Sequence, residues 1–195
     1  MTKLIGINGS SRKDGNTAII IGKVFEELNK EGIETELIQL ADYEIQPCRG
    51  CFACKGRGNC VFAKDGFAKI FRCMVEAHGI ILGSPVYSAD VSAKMKAFLE
   101  RGGVVVATNP GLLRHKVGAS VAAVRRAGGM TTVDTMNHFM LNKEMIVVGS
   151  TYWNMVYGKD IEDVLSDDEG MANMRNLGEN MAWLIKRKVL SYGQE

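Results

Sequence analysis

The sequence lacks several features that would place it in common functional classes. No stretch approaches the length of a membrane-spanning helix, and the apolar run in residues 1–6 is too short for a signal peptide. The 24 basic and 22 acidic residues leave a net charge of +2, which gives no support for binding nucleic acid or an anionic membrane. We therefore expect a cytoplasmic protein that binds neither nucleic acid nor membrane.

Histidine is also scarce, and no internal repeat or low-complexity tract is visible. His78, His115 and His138 are scattered along the chain without a partner motif, which indicates structural rather than catalytic roles. The sequence consequently predicts no acid–base catalytic residue.

Strands and helices are predicted to alternate along the whole chain. With 195 residues, of which 46% are hydrophobic and 24% charged, the chain has enough apolar material for one globular core. Hydrophobic patterns predict strands at residues 3–8, 34–40, 79–84, 116–124 and 145–148. They predict helices at residues 17–31, 65–77, 92–101, 131–142 and 171–189. This alternation predicts a single domain, residues 1–195, built on a doubly wound, five-stranded parallel sheet.

Four of the five cysteines lie in one loop directly after the second predicted strand. Cys48, Cys51, Cys54 and Cys60 have the spacing C-x2-C-x2-C-x5-C, and successive two-residue gaps are typical of compact iron–sulfur sites. Structural zinc sites usually pair two short cysteine motifs across a longer segment. We therefore predict a [4Fe-4S] cluster, with zinc and with free or disulfide-paired thiols as the alternatives.

Three further loops follow strands whose carboxyl ends should meet, which is where parallel sheets bind ligands. Residues 9–17 offer hydroxyls, backbone N–H groups and Arg12 before a helix start, so they favour an anion. They form neither a Walker loop nor a G-x-G-x-x-G motif, which favours a monophosphate over a diphosphate. The alternative is an ordinary helix start capped by Ser10 or Asn16.

The other two of these loops suit a flat ring system. Ser84-Pro85-Val86-Tyr87 presents a fixed proline and an aromatic residue at a strand end. Gly128-Gly129, after Arg125-Arg126, would let the backbone approach a ring edge closely, although a plain turn is the alternative.

These loops and the cysteine run resemble those of the iron–sulfur flavoproteins within the flavodoxin-like, NADPH-dependent FMN reductases. The resemblance includes the start of a strand, Lys116-Val117-Gly118-Ala119. The resemblance covers nearly the whole chain. It implies that the FMN phosphate is held by Ser10, Arg12, Asn16 and Thr17. It implies that the isoalloxazine ring contacts Pro85, Val86, Tyr87, Gly128 and Gly129. It assigns the cluster to the four cysteines named above, and it implies a homodimer or homotetramer.

These parts favour an oxidoreductase that passes electrons between FMN and a [4Fe-4S] cluster, because a flavin exchanges one or two electrons and a cluster only one. The electron partner would be a protein such as ferredoxin, or NAD(P)H. The cysteine loop carries the basic residues Arg49, Lys55, Arg57 and Lys64. They would receive an acidic donor or offset the cluster's negative charge. Two alternatives are an NAD(P)H-dependent FMN or quinone reductase without a cluster and a non-enzymatic, zinc-bearing adaptor on the same scaffold.

Overall fold

The computed structural model describes residues 2–62 and 64–192, with side chains as far as residue 188. Its strands are β1 (Lys3–Asn8), β2 (Glu34–Gln39), β3 (Gly79–Pro85), β4 (Val117–Val124), β5 (Ile146–Val147) and β6 (Met155–Tyr157). Its helices are α1 (Asn16–Lys30), α2 (Phe67–Glu76), α3 (Ala93–Ala107), α4 (Gly129–Leu141) and α5 (Asp168–Tyr192). Among the described residues, no helix is both long and apolar enough to cross a membrane.

The strands form one parallel sheet in the order β2-β1-β3-β4-β5. This arrangement confirms the predicted doubly wound sheet with five strand positions. The fifth position is shared, because β5 pairs with the start of β4 at Val117 and Gly118, while β6 pairs with its end, from Ala122 to Val124. The sequence patterns predicted β5 but not β6.

Helices cover both faces of the sheet, as a doubly wound fold requires. Ile81 of β3 packs in one core with α1 and α5. Its neighbours Ile80 and Leu82 point to the other core, which α2, α3 and α4 complete. All eight residues of β4 are buried, so β3 and β4 read as continuous apolar runs because both of their faces are covered.

Helix α3 is longer than the sequence predicted, and the prediction that it ends at Arg101 was wrong. The glycine pair Gly102-Gly103 costs about 1 kcal/mol per residue in a helix. Burial of Val105 and Val106 in the core offsets that cost, at about 1.5 to 3 kcal/mol for each side chain. The helix therefore runs on to Ala107 and brings its carboxyl end beside the cysteine loop.

Candidate functional site

A cavity of about 270 Å³ lies at the carboxyl end of the sheet, where the loops after β1, β3 and β4 meet. It is lined by Ser10, Arg12, Gly15, Asn16, Thr17, Pro85, Val86, Tyr87, Ala123, Arg125, Gly158, Lys159 and Ile161. The structure thus brings together all four residues predicted for the phosphate and three of those predicted for the ring. Gly128 and Gly129 are not among the lining residues.

The loop after β1 is held in shape by its own hydrogen bonds and by those of its neighbours. The backbone N–H of Ser10 donates to Asn8 Oδ1 at 2.9 Å, and Ser10 Oγ accepts from the backbone N–H of Arg12 at 3.0 Å. Ser92 Oγ donates to the carbonyl of Gly9 at 2.6 Å, and the N–H of Gly9 donates to the carbonyl of Gly83 at 2.8 Å. The loop is therefore supported by contacts within the protein itself.

The start of α1 is suited to an anion. The residue before the helix is Gly15, which has no side chain to cap the first turn, so Ser10 and Asn16 are not the helix caps. The first turn contains no acidic residue, and its free N–H groups carry the positive end of the helix dipole. The exposed Arg12 lines the same cavity. The loop thus combines a guanidinium with a helix N-terminus, a pairing that binds phosphate.

Asn16 connects this loop to a distant segment. Its Nδ2 donates to the carbonyl of Asp160 at 2.8 Å, and its Oδ1 accepts from the backbone N–H of Glu162 at 2.9 Å. These two bonds hold the edge of the cavity formed by residues 158–161. Because the partners lie about 145 positions apart in the chain, no local pattern could have predicted Lys159 or Ile161 as lining residues.

The loop after β3 forms a tight turn beside the cavity. Tyr87 and Asp90 exchange two backbone hydrogen bonds, and Ser88 and Ala89 between them have φ angles of 49° and 62°. Burial would raise the pKa of Asp90, but hydrogen bonds from Thr135 Oγ1 and from the backbone hold it below its ordinary value. The charged carboxylate therefore anchors the turn to α4.

The two glycines after β4 pack against neighbouring chain. A Cβ on Gly128 would lie 2.8 Å from the Cα of Ala89, and Gly128 has a φ of 84°. A Cβ on Gly129 would overlap the sulfur of Met155. Gly128 thus requires glycine for close approach of the chain, whereas at Gly129 a side chain would have to displace that of Met155, and contact of these residues with a ring stays a prediction.

The four clustered cysteines line a second cavity, between the segment that follows β2 and helix α3. Cys54 is buried, Cys48 and Cys60 are half-buried, and Cys51 is exposed. The cavity is completed by Pro47, Arg49, Phe52, Val61, Phe62, Arg101, Val104 and Val105. In the described part of the chain, no three His, Cys, Asp or Glu side chains converge closely enough to hold a metal ion.

Polar groups surround the sulfur atoms of this cavity. The backbone N–H of Gly50 donates to Cys48 Sγ at 3.4 Å, and Arg101 Nε donates to Cys60 Sγ at 3.2 Å. Cys54 Sγ lies 3.3 Å from Thr108 Oγ1. Hydrogen bonds to sulfur are a normal part of iron–sulfur ligation, so the four thiols and their polar neighbours have the chemistry that such a cluster needs, although the thiols do not converge on one point.

Residues at the carboxyl end of α3 tie the cysteine loop to the fold. Asn109 Nδ2 donates to the carbonyl of Cys54 at 3.0 Å, and Asn109 Oδ1 accepts from the backbone N–H of Gly58 at 2.9 Å. Arg101, Thr108 and Asn109 were not identified from the sequence. Arg101 lies inside α3, whereas Thr108 and Asn109 follow its last residue, Ala107, so no helical spacing links the three.

Comparisons with known proteins agree with this fold. The profile of the family described as NADPH-dependent FMN reductase matches residues 2–160. An iron-sulfur flavoprotein of Methanocaldococcus jannaschii is 42% identical over 191 residues, covering 94% of this chain and 97% of that protein. The structure of RosB with bound 8-demethyl-8-formylriboflavin-5'-phosphate superimposes with a TM-score of 0.78 and 18% identity, over 96% of this chain and 80% of RosB. A flavodoxin from the domain Archaea gives a TM-score of 0.61 and 17% identity, over 95% and 99% of the two chains. The fold is therefore flavodoxin-like.

Proposed function

The chain belongs to the iron–sulfur flavoproteins of the NADPH-dependent FMN reductase family and is an oxidoreductase with a flavin redox function, and from that membership we propose that it passes electrons between FMN and a [4Fe-4S] cluster. FMN would supply one- or two-electron exchange and the cluster one-electron exchange. The observation that carries the proposal is that all four thiols line one cavity, apart from the cavity of the phosphate loop.

In this proposal the first cavity binds FMN. Arg12 and the free N–H groups at the start of α1 would bind the phosphate, with the hydroxyls of Ser10 and Thr17 beside them. The side chain of Asn16 would position the edge of the cavity and not bind the phosphate as the sequence predicted, because its amide is hydrogen-bonded to the backbone of residues 160 and 162. The ring would lie along Pro85, Val86 and Tyr87, as the apolar part of the lining suggests.

The second cavity would hold the cluster through the thiolates of Cys48, Cys51, Cys54 and Cys60. In the described residues the thiols do not converge on one point, so the cysteine loop would have to rearrange around the cluster. We also propose a cytoplasmic location, because thiols that bind metal must stay reduced. We further propose that residues 1–195 act as one FMN-binding domain in a homodimer or homotetramer.

The electron partner in this proposal is a protein such as ferredoxin, or NAD(P)H. Arg49, Lys55, Arg57 and Lys64 are all exposed around the cysteine cavity, which supports docking of an acidic protein by charge complementarity.

The test of the proposed function is anaerobic purification followed by a visible spectrum and by assays of iron, acid-labile sulfide and FMN. We expect a brown protein in which iron and sulfide are each in about fourfold excess over FMN. A yellow protein without iron would favour the FMN or quinone reductase without a cluster. A colourless protein that holds zinc would favour the adaptor.

Substitution of Arg12 is expected to weaken FMN binding selectively. Arg12→Ala removes the guanidinium from the cavity and should cost about 1.5 to 3 kcal/mol, the range for a hydrogen bond to a charged group. This corresponds to a dissociation constant about 10 to 150 times higher, measured by fluorescence titration. Lys13→Ala is the matched control, because Lys13 forms an ion pair with Asp42. Equal affinities of Arg12→Ala and wild type would remove Arg12 from the phosphate site.

A further inference from the structure

Arg101 of α3 is buried beside the cysteine loop, with only 2% of its surface exposed. Its Nη1 donates to Asp65 Oδ2 at 2.6 Å and to the carbonyl of Gln46 at 3.3 Å, and its Nη2 donates to the carbonyl of Phe62 at 2.6 Å. The remaining donor, Nε, points at Cys60 Sγ at 3.2 Å. A single guanidinium thus fastens both ends of the cysteine loop and contacts one of its sulfur atoms.

The surroundings of the guanidinium hold it in place. The ring of Phe67 lies 4.4 Å from its central carbon and the ring of Phe62 lies 5.3 Å away. An arginine side chain stays protonated in proteins, so a positive charge is permanently present at this position. In a buried setting such a charge acts on its neighbours far more strongly than an exposed one, because solvent screens it less.

We propose that Arg101 is a positioning residue of the cysteine site, which fixes the Cys60 sulfur toward the cavity and raises the reduction potential of the cluster held there. This inference rests on the proposed function, since it requires that the cysteines bind a cluster. The physical reason is that a cluster with one added electron is more negative, and a fixed cation and an N–H donor at its sulfur ligand favour that state.

Two substitutions at one ion pair test the inference. Arg101→Gln removes the positive charge, and Asp65→Asn removes the negative charge that partly offsets it. Both break the same buried pair, so a merely structural role would move the potential in the same direction or not at all. The proposed electrostatic role requires opposite directions.

The measurement is a potentiometric titration of the cluster with dithionite and mediator dyes, on FMN-loaded protein of known iron content. Arg101→Gln is expected to lower the equilibrium constant for one-electron reduction by about tenfold, which is a potential about 59 mV lower. Asp65→Asn is expected to raise that constant by at least about threefold. Arg72→Gln is the matched control, because Arg72 is an exposed cation on α2 that does not line the cysteine cavity, and it should change the constant by less than about threefold.

The outcomes separate the inference from the function on which it rests. Wild-type protein that takes up no iron and sulfide would overturn the proposed function and the inference with it. Loaded wild type with shifts of the same sign, or no shift, in Arg101→Gln and Asp65→Asn would overturn the inference alone. If Arg101→Gln does not retain iron, Asp65→Asn decides, and an unchanged or lower potential in that variant overturns the inference.

Discussion

Replacing Cys51 with serine is expected to remove the iron–sulfur site and to leave FMN bound. Cys51 is the middle thiol of the two overlapping x2 gaps, and a serine hydroxyl is a harder and poorer ligand for iron. Its exposed side chain contributes little to the folded core, so the effect should fall on the metal rather than on stability. The loop after β1 lines a different cavity and should be unaffected.

Iron, acid-labile sulfide and FMN would be assayed on both proteins after identical anaerobic reconstitution. Cys73→Ser is the matched control, because Cys73 is the fifth cysteine, lies on α2 and is outside the cysteine cavity. That variant should keep the iron and sulfide of the wild type. Equal iron in Cys51→Ser and wild type would refute Cys51 as a ligand, and joint loss of FMN would show that the cysteine loop also shapes the flavin cavity.

The second large effect is expected from the buried ion pair between Arg101 and Asp65, whose side chains are 3% and 2% exposed. Arg101→Met should reduce the free energy of unfolding by about 3 to 5 kcal/mol at pH 7, because it leaves a buried carboxylate without its cation. Arg114→Met is the control, since the pair of Arg114 with Glu144 is exposed and should contribute at most about 1 kcal/mol.

The same substitution should change how stability depends on pH. Burial would raise the pKa of Asp65, but hydrogen bonds from the Gln46 N–H and from Arg101 hold it below 3.8. In wild type, the charged carboxylate therefore contributes stability that is complete above about pH 4 and is lost as the pH falls further. Without Arg101 the effect of burial is less opposed, so the pKa of Asp65 should rise.

Urea unfolding of wild type and Arg101→Met, at matched cofactor content, checks both statements. The difference in free energy of unfolding should be largest at neutral pH and should shrink as the pH falls from the raised pKa of Asp65 in the variant to its lowered pKa in wild type. A difference that stays constant from pH 7 to pH 3 would mean that the loss comes from packing and not from the charge.

Local patterns predicted most of the sheet because a strand that is buried on both faces has a continuous run of apolar residues. The strand Lys3–Asn8 has its predicted bounds, and the run from Gly79 is the central strand, as its continuous apolar character indicates. β6 was missed because three residues carry too little periodicity, and it exists only by pairing with Ala122–Val124 of β4. The loop after β1 could also be identified from the sequence, because it joins a predicted strand end to a predicted helix start.

The sequence could not reveal the contacts that join distant segments. Arg101 lies 41 positions from Cys60, inside a helix whose end was itself predicted too early. The resemblance assigned Asn16 to the phosphate, which stays a prediction, but the sequence did not indicate that its amide also contacts residues more than 140 positions away. In both cases the partner is chosen by the packed fold, so composition and spacing carry no information about it.

Helix α3 spans the interval between the two cavities. Ser92, the residue before its first turn, is hydrogen-bonded to Gly9 in the loop after β1 and to Ser84 near the end of β3. Arg101, nine residues later and therefore about 13 Å further along a helix, contacts Cys60. Helix α3 thus sets the distance between the two cavities, and deleting one residue between these two positions would both shorten that distance and rotate the guanidinium by about 100° away from Cys60.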